Sequence, residues 1–251
     1  MIIEKIKKIM PKVVKAPLKH LHACATYDPW FERSWSQEGE DQILRRIFKR
    51  REVGFYVDVG AHHPKRFSNT YLFYKRGWHG INIDAMPGSM KLFDNARPRD
   101  INLEMGIGSN AGNLDYYVFN EPALNGFSKE LSEKRHEADT TDQVREVIKV
   151  DVRPLSQVLD CHLSSGQEID FMSVDVEGLD FDVLKSNDWS RYRPKFVLAE
   201  ILGSSLHEIE QTEIGQFMHD QNYMLYAKCM NTVFFKDSLL KWKTTPTGAA
   251  P

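Results

Sequence analysis

The sequence predicts an α/β fold, a mostly parallel sheet with helices on both faces, on three observations. Short apolar runs, "GFYVDVG", "GINIDA", "IDFMSVDV" and "KFVLAEI", alternate with stretches whose apolar residues recur at helical spacing. Those runs end in acidic residues, Asp58, Asp84, Asp175 with Glu177, and Glu200. Two final runs, "YMLYAKC" and "NTVFFKD", are close enough to form an antiparallel hairpin.

The elements follow in chain order. "SQEGEDQILRRIFKR" opens on polar capping residues and carries Ile43, Leu44, Ile47 and Phe48 on one helical face. "GFYVDVG" is the first strand, and "SNTYLFYKRGW" is a capped helix that stops near Gly77. "GINIDA" is the second strand, "PGSMKLFDNARP" a helix and "INLEMGIG" a third strand. Between "NLDYYVFN" and "EVIKVDV" lies a polar insertion, about residues 121–147, longer than an ordinary connection. Such a segment serves as a substrate-facing lid or as surface decoration. A helix at "PLSQVLDCHL", a strand at "IDFMSVDV", a helix at "LDFDVLKS" and a strand at "KFVLAEI" resume the alternation, and "HEIEQTEIGQFMHD" is a last helix. The domain runs over 36–240, after an N-terminal extension (1–35) and before a tail (241–251) expected to be disordered.

Bulk properties remove several function classes. The 251 residues are 41% hydrophobic and 27% charged, as in a folded globular chain. A net charge of −2 gives no basic surplus for nucleic acid, so none is expected as a partner. Three scattered cysteines, Cys24, Cys161 and Cys229, suggest neither a disulfide framework nor a CxxC metal site. No stretch approaches the roughly 20 apolar residues of a membrane span, so a cytoplasmic location is expected. The opening "MIIEKIKKIMPKVVKAPLKH" is either a solvated helix or a basic amphipathic segment for the inner face of a membrane.

In a doubly wound sheet, ligands bind beyond the carboxyl ends of the strands. Gly60 allows a tight turn there, and Asp58 can accept hydrogen bonds from the turn or from a ligand amine. Asp84 ends the second strand where, roughly 20 residues on, an acid can take both hydroxyls of a ribose. The turn continues as Ala61, His62, His63 and Pro64, without the GxGxxG backbone that receives a pyrophosphate. S-adenosylmethionine, which has no phosphate, therefore suits the chain better than NAD. His62 and His63 are candidate bases, or caps of their own turn. Asp175 and Glu177 stand at the rim, as active-site acids or as the cap of the next helix.

The ordered set "FYVDVGAHHP", "SNT", "GWHGINIDAMPGS", "IDFMSVDVEGLDFDVL" and "PKFVLAE" resembles the FkbM-type family of S-adenosylmethionine-dependent methyltransferases, over about residues 36 to 236. The resemblance is most specific at "DVEG" and in its spacing from "DVGA". It implies a class I, Rossmann-like methyltransferase fold with a mostly parallel seven-stranded sheet and a terminal antiparallel pair. It also implies O-methylation of a sugar hydroxyl, on a nucleotide-activated sugar or a glycan of a bacterial surface polysaccharide. By motif match, Asp58, Gly60 and Asp84 carry over to the cofactor, and Asp175 and Glu177 to the active site. His62-His63-Pro64 departs from the family, where a polar residue and a further glycine are usual.

The candidate cofactor set is completed by Ala61, Ser68, Asn69, Ala85, Gly106 and Ile107, and the acceptor set is Asn125, Lys129 and Glu200. Asp175, Glu177 and Glu200 are also a candidate set for a divalent cation such as Mg²⁺. A small natural product as acceptor, or a non-catalytic nucleotide-binding module, are the alternative functions.

Overall fold

In a computed structural model of the chain, residues 32–138 and 141–240 are described. The expected N-terminal extension, through residue 31, and the tail at 241–251 lie outside the described residues. From Ser34 onward the described residues belong to one unit.

Helix α1 (Glu40–Ile47) precedes β1 (Phe55–Val59), α2 (Tyr71–Lys75), β2 (His79–Asp84), α3 (Met90–Ala96) and β3 (Ile101–Glu104). Then come β4 (Gly106–Ile107), β5 (Gly112–Phe119), a single 3₁₀ turn (Pro122–Leu124), α4 (Lys129–Ala138) and β6 (Val144–Arg153). The second half is α5 (Leu155–His162), β7 (Phe171–Val174), α6 (Asp180–Lys185), β8 (Phe196–Glu200), α7 (Leu206–Ile209), α8 (Glu213–Asp220), β9 (Tyr223–Cys229) and β10 (Thr232–Asp237).

Seven strands form one sheet in the order β3-β2-β1-β7-β8-β10-β9. All pairs are parallel except those of β10, which runs antiparallel to β8 and β9. This is the Rossmann-like sheet with its terminal hairpin. A parallel sheet must be covered on both faces, and strand alternation supplies two cores. Phe55, Val57 and Val59 point to the side of α5, α6 and α8, with Leu155, Leu159, Val183 and Met218. Tyr56, Phe171, Phe196 and Phe234 point the other way, onto Leu44 of α1, Phe48 just after it and Phe73 of α2.

A second, three-stranded sheet, β4-β6-β5, was not expected from the sequence. "INLEMGIG" reads as one strand, but it divides at Met105: Ile101–Glu104 pairs with β2, while Gly106–Ile107 pairs with β6. The polar insertion is also more ordered than its composition suggests. It holds the 3₁₀ turn, α4 and the start of β6. "KELSEKRHEA" has no apolar stripe, so periodicity gives no sign of this helix.

Helix α1 is pinned at its start. Asp41 accepts hydrogen bonds from the Ser34 hydroxyl (2.7 Å) and the Trp35 amide (2.8 Å). Buried Glu40 accepts from the Glu38 amide (2.9 Å) and the Thr232 hydroxyl (3.1 Å). These bonds tie residues 34–41 to β10 and bring Gln37 and Glu38 to the carboxyl end of the sheet. Among the described residues no helix is long and apolar enough to cross a membrane.

Candidate active site

The sheet order reverses between β1 and β7, and a cleft opens beyond the carboxyl ends of β2, β1, β7 and β8, where such a reversal leaves room. It encloses about 1110 Å³ of open space, part of it continuous with solvent.

The turn after β1 forms one wall. Gly60 and Ala61 donate backbone hydrogen bonds to the Ile83 carbonyl at 2.9 and 3.0 Å, which folds the chain back across β2. Gly60 has φ of 82°, and a Cβ there would lie 1.7 Å from the carbonyl oxygen of Asp175. Glycine is therefore required twice, for its left-handed backbone and for the close approach of the β1 and β7 loops. Asp84 sits at the end of β2 with one oxygen accepting from the Met86 amide and the other from the His62 amide, both at 2.9 Å. Burial raises its pKa, and the two amides and the Ser89 hydroxyl oppose the rise.

The acids meet at the center. β7 stops at Val174, so the strand alternation expected to align Asp175 with Glu177 does not extend that far. Glu177 instead takes a left-handed backbone (φ 54°), and its carboxylate lies 2.6 Å from the Arg135 guanidinium of α4. Asp180 holds this loop by accepting from the amides of Val176 (3.3 Å) and Gly178 (3.2 Å). Asp175 is exposed to the open cleft, although protein atoms crowd around its carboxyl and displace part of its hydration. That desolvation, with Glu200, Glu177, Asp58 and Glu40 nearby, pushes its pKa well above the usual carboxylate range. Glu200, at the end of β8, is pushed up to about 7 by burial and by Glu177 and Asp180, against the pull of Arg135 and a hydrogen bond from Asn231.

Most of the expected residues line the cleft: Gly60, Asn69, Asp84, Ala85, Gly106, Ile107, Asn125, Asp175, Glu177, Glu200 and His62. Five others do not. Asp58 lies on the same face of β1 as Tyr56, where it accepts from the Thr70 hydroxyl at 2.6 Å. Ser68 belongs to the same buried network, accepting from the Tyr71 amide and facing the Arg97 guanidinium. Ala61 packs against Met90 and Phe93. His63 caps its own turn, its Nδ1 accepting from the amides of Lys65 (3.0 Å) and Arg66 (2.9 Å). Lys129 is exposed on α4, paired with Glu133.

His62 lines the cleft beside the Phe67 ring, and its pKa is lowered mainly by burial, with Asp84 opposing. The cation set does not form: Glu177 is drawn to Arg135, and among the described residues no group of three or more His, Cys, Asp or Glu side chains is arranged to hold a metal ion.

Sequence reasoning missed Gln37, Glu38, Glu40, Asn231 and Thr232, which reach the cleft from the start of α1 and the β9–β10 hairpin, and Tyr116 and Phe127 from the second sheet and insertion. None carries a local signal, because each is placed by tertiary packing. The insertion does cover the loop of the acids: a Cβ on Gly126 would lie 2.9 Å from that of Glu177, and one on Gly178 would lie 3.0 Å from that of Ser128.

The residues fit S-adenosylmethionine. A buried carboxylate with spare lone pairs closes β2 where ribose hydroxyls need an acceptor, and Ala85, Met105, Ile107 and Tyr116 give apolar surface beside it. A comparison with curated proteins finds no match. The model of the methyltransferase FkbM domain matches residues 58–225, more than half of the chain, so the chain belongs to the FkbM methyltransferase family.

Proposed function

We propose that the chain is an S-adenosylmethionine-dependent O-methyltransferase acting on a hydroxyl of a sugar or glycan. The observation that carries this reading is the cleft itself, with Gly60 and Asp84 at one end and Asp175, open to the cleft and without a salt-bridge partner among the described residues, beside Glu200 beyond them.

S-adenosylmethionine supplies an electrophilic methyl group on a sulfonium. Asp84 would accept hydrogen bonds from the ribose hydroxyls, and the apolar surface of Ala85, Met105 and Ile107 would hold the adenine side. Asp175 accepts the proton of the acceptor hydroxyl as its oxygen bonds to the methyl carbon and the carbon–sulfur bond breaks. A base works best when its pKa is near the operating pH, which is the direction in which burial and Glu200 move Asp175. Glu177 is held by Arg135 and is the poorer base. Asp180 fixes the loop through two amides. Alignment of acceptor and methyl group contributes roughly 7–11 kcal/mol in well-oriented systems, and the loop of the acids, covered by the insertion, provides it.

The test is incubation with methyl-labelled S-adenosylmethionine and a panel of sugars and glycans, read by mass spectrometry. The reading expects label in a product heavier by one CH₂, and loss of that product in Asp175→Asn. Label transferred to a nitrogen or carbon nucleophile would overturn the O-methyl assignment.

A further inference from the structure

The charge of the cleft bears on which sugar it takes. Among the described residues that line it, six are carboxylic acids, Glu38, Glu40, Asp84, Asp175, Glu177 and Glu200, and none is Lys or Arg. Two guanidinium groups beside lining residues are engaged: Arg135 with Glu177 (2.6 Å), and Arg66 with Glu121 (3.0 Å). Two of the acids are satisfied by the protein. Glu40 is bonded to the Glu38 amide and the Thr232 hydroxyl, and Asp84 to two amides.

Among the described residues Asp175 and exposed Glu38 have no salt-bridge partner, and Glu200 has only a hydrogen bond from Asn231 and the more distant pull of Arg135; all three stand at the end of the cleft away from Asp84. Gln37, Asn231 and Thr232 stand among them and offer neutral donors and acceptors suited to hydroxyls. Among the described residues no side chains are arranged for a metal ion, and an organic cation can supply the compensating charge. A phosphate or carboxylate brought here meets like charge, and among the described lining residues no guanidinium or ammonium is present to take it. An ammonium meets the opposite. A nucleotide-activated sugar, with its diphosphate beside the reacting ring, is the poorest match.

Resting on the methyltransferase reading, we propose that the acceptor is an amine-bearing polyol, an amino sugar in its ammonium form or a glycan containing one, selected by Glu200 and Glu38 against phosphate- and carboxylate-bearing sugars. Specificity then comes from repulsion of the wrong acceptor as much as from attraction of the right one.

The test measures binding of hexosamines, the parent hexoses and the hexose 1-phosphates to the full chain saturated with S-adenosylhomocysteine, by calorimetry or ligand-observed NMR. The expected order is hexosamine over hexose by about tenfold or more, with the phosphates weakest. Glu200→Gln and, independently, the exposed Glu38→Gln should each shrink the amine preference at least about threefold while S-adenosylhomocysteine still binds, which reports an intact cleft. Phosphates that bind as tightly as the amines, a panel that binds without order or not at all, or variants that keep the full preference would overturn the inference alone. Failure of S-adenosylhomocysteine to bind the wild type would overturn the methyltransferase reading, and this inference with it.

Discussion

Replacing Gly60 by alanine tests how the two halves of the cleft are joined. The added Cβ would lie 1.7 Å from the Asp175 carbonyl oxygen and 2.7 Å from its carbon, and real Cβ atoms essentially never come within 3.0 Å of another heavy atom. The turn after β1 and the loop after β7 must therefore part by about 1.3 Å, the difference between that limit and the nearer contact. Holding φ at 82° with a side chain costs a further ~1–2 kcal/mol. Both contacting atoms are backbone, so no side-chain rotation relieves the clash. A misplacement of about 1 Å in a reacting geometry can cost about 100-fold in rate. Gly60→Ala is thus expected to unfold at lower denaturant by more than the backbone term, and to lose about two orders of magnitude in kcat/KM. Chemical denaturation followed by Trp fluorescence gives the first, and methyl transfer to the best acceptor the second. An alanine variant within error of wild type in both would refute the close approach of the two loops.

Three further outcomes are expected. Methyl transfer should rise with pH through the pKa of Asp175 and then level, because the base must be ionised. Asp175→Asn should lower kcat/KM by about 100-fold or more and remove that limb of a pH–rate profile. Stability should fall as pH rises from about 4 to about 8: Asp180 is pushed up to about 8, so between its unfolded and folded pKa values the native state holds the extra proton. Asp175 and Glu200 act in the same direction, and Asp180→Asn should narrow the difference between melting temperatures measured at about pH 5 and about pH 8. Arg135→Gln leaves Glu177 partly buried without its cation and should cost about 1–3 kcal/mol in a urea titration, with no loss if the pair were a solvated surface contact.

The strand-helix alternation was legible because each strand is a short apolar run and each helix but α4 carries some buried apolar face. The acids at the strand ends were legible for the same reason, since a carboxylate that follows a buried run falls at the sheet's edge. Asp58 shows the limit of that rule. It lies inside β1, and strand alternation turns it, with Tyr56, toward Thr70 and Arg97 instead of the cleft. His63 was ambiguous from type alone, and two amides within three residues decide it. Lys129 was placed by its position in the insertion, but the helix that forms there turns Arg135 toward the acids and Lys129 toward Glu133. The hairpin residues Asn231 and Thr232 join the site only because β10 inserts between β8 and β9, a pairing with no local signature.

The central claim is that the cleft beyond β1 and β2 holds S-adenosylmethionine through Asp84. Calorimetric titration with S-adenosylhomocysteine of the wild type and of Asp84→Asn tests it most directly. The account predicts saturable binding by the wild type, no comparable binding of NAD, and a loss of about tenfold or more in the variant, as expected for hydrogen bonds to a charged acceptor. Equal affinity in the two proteins, or preference for NAD, would contradict it.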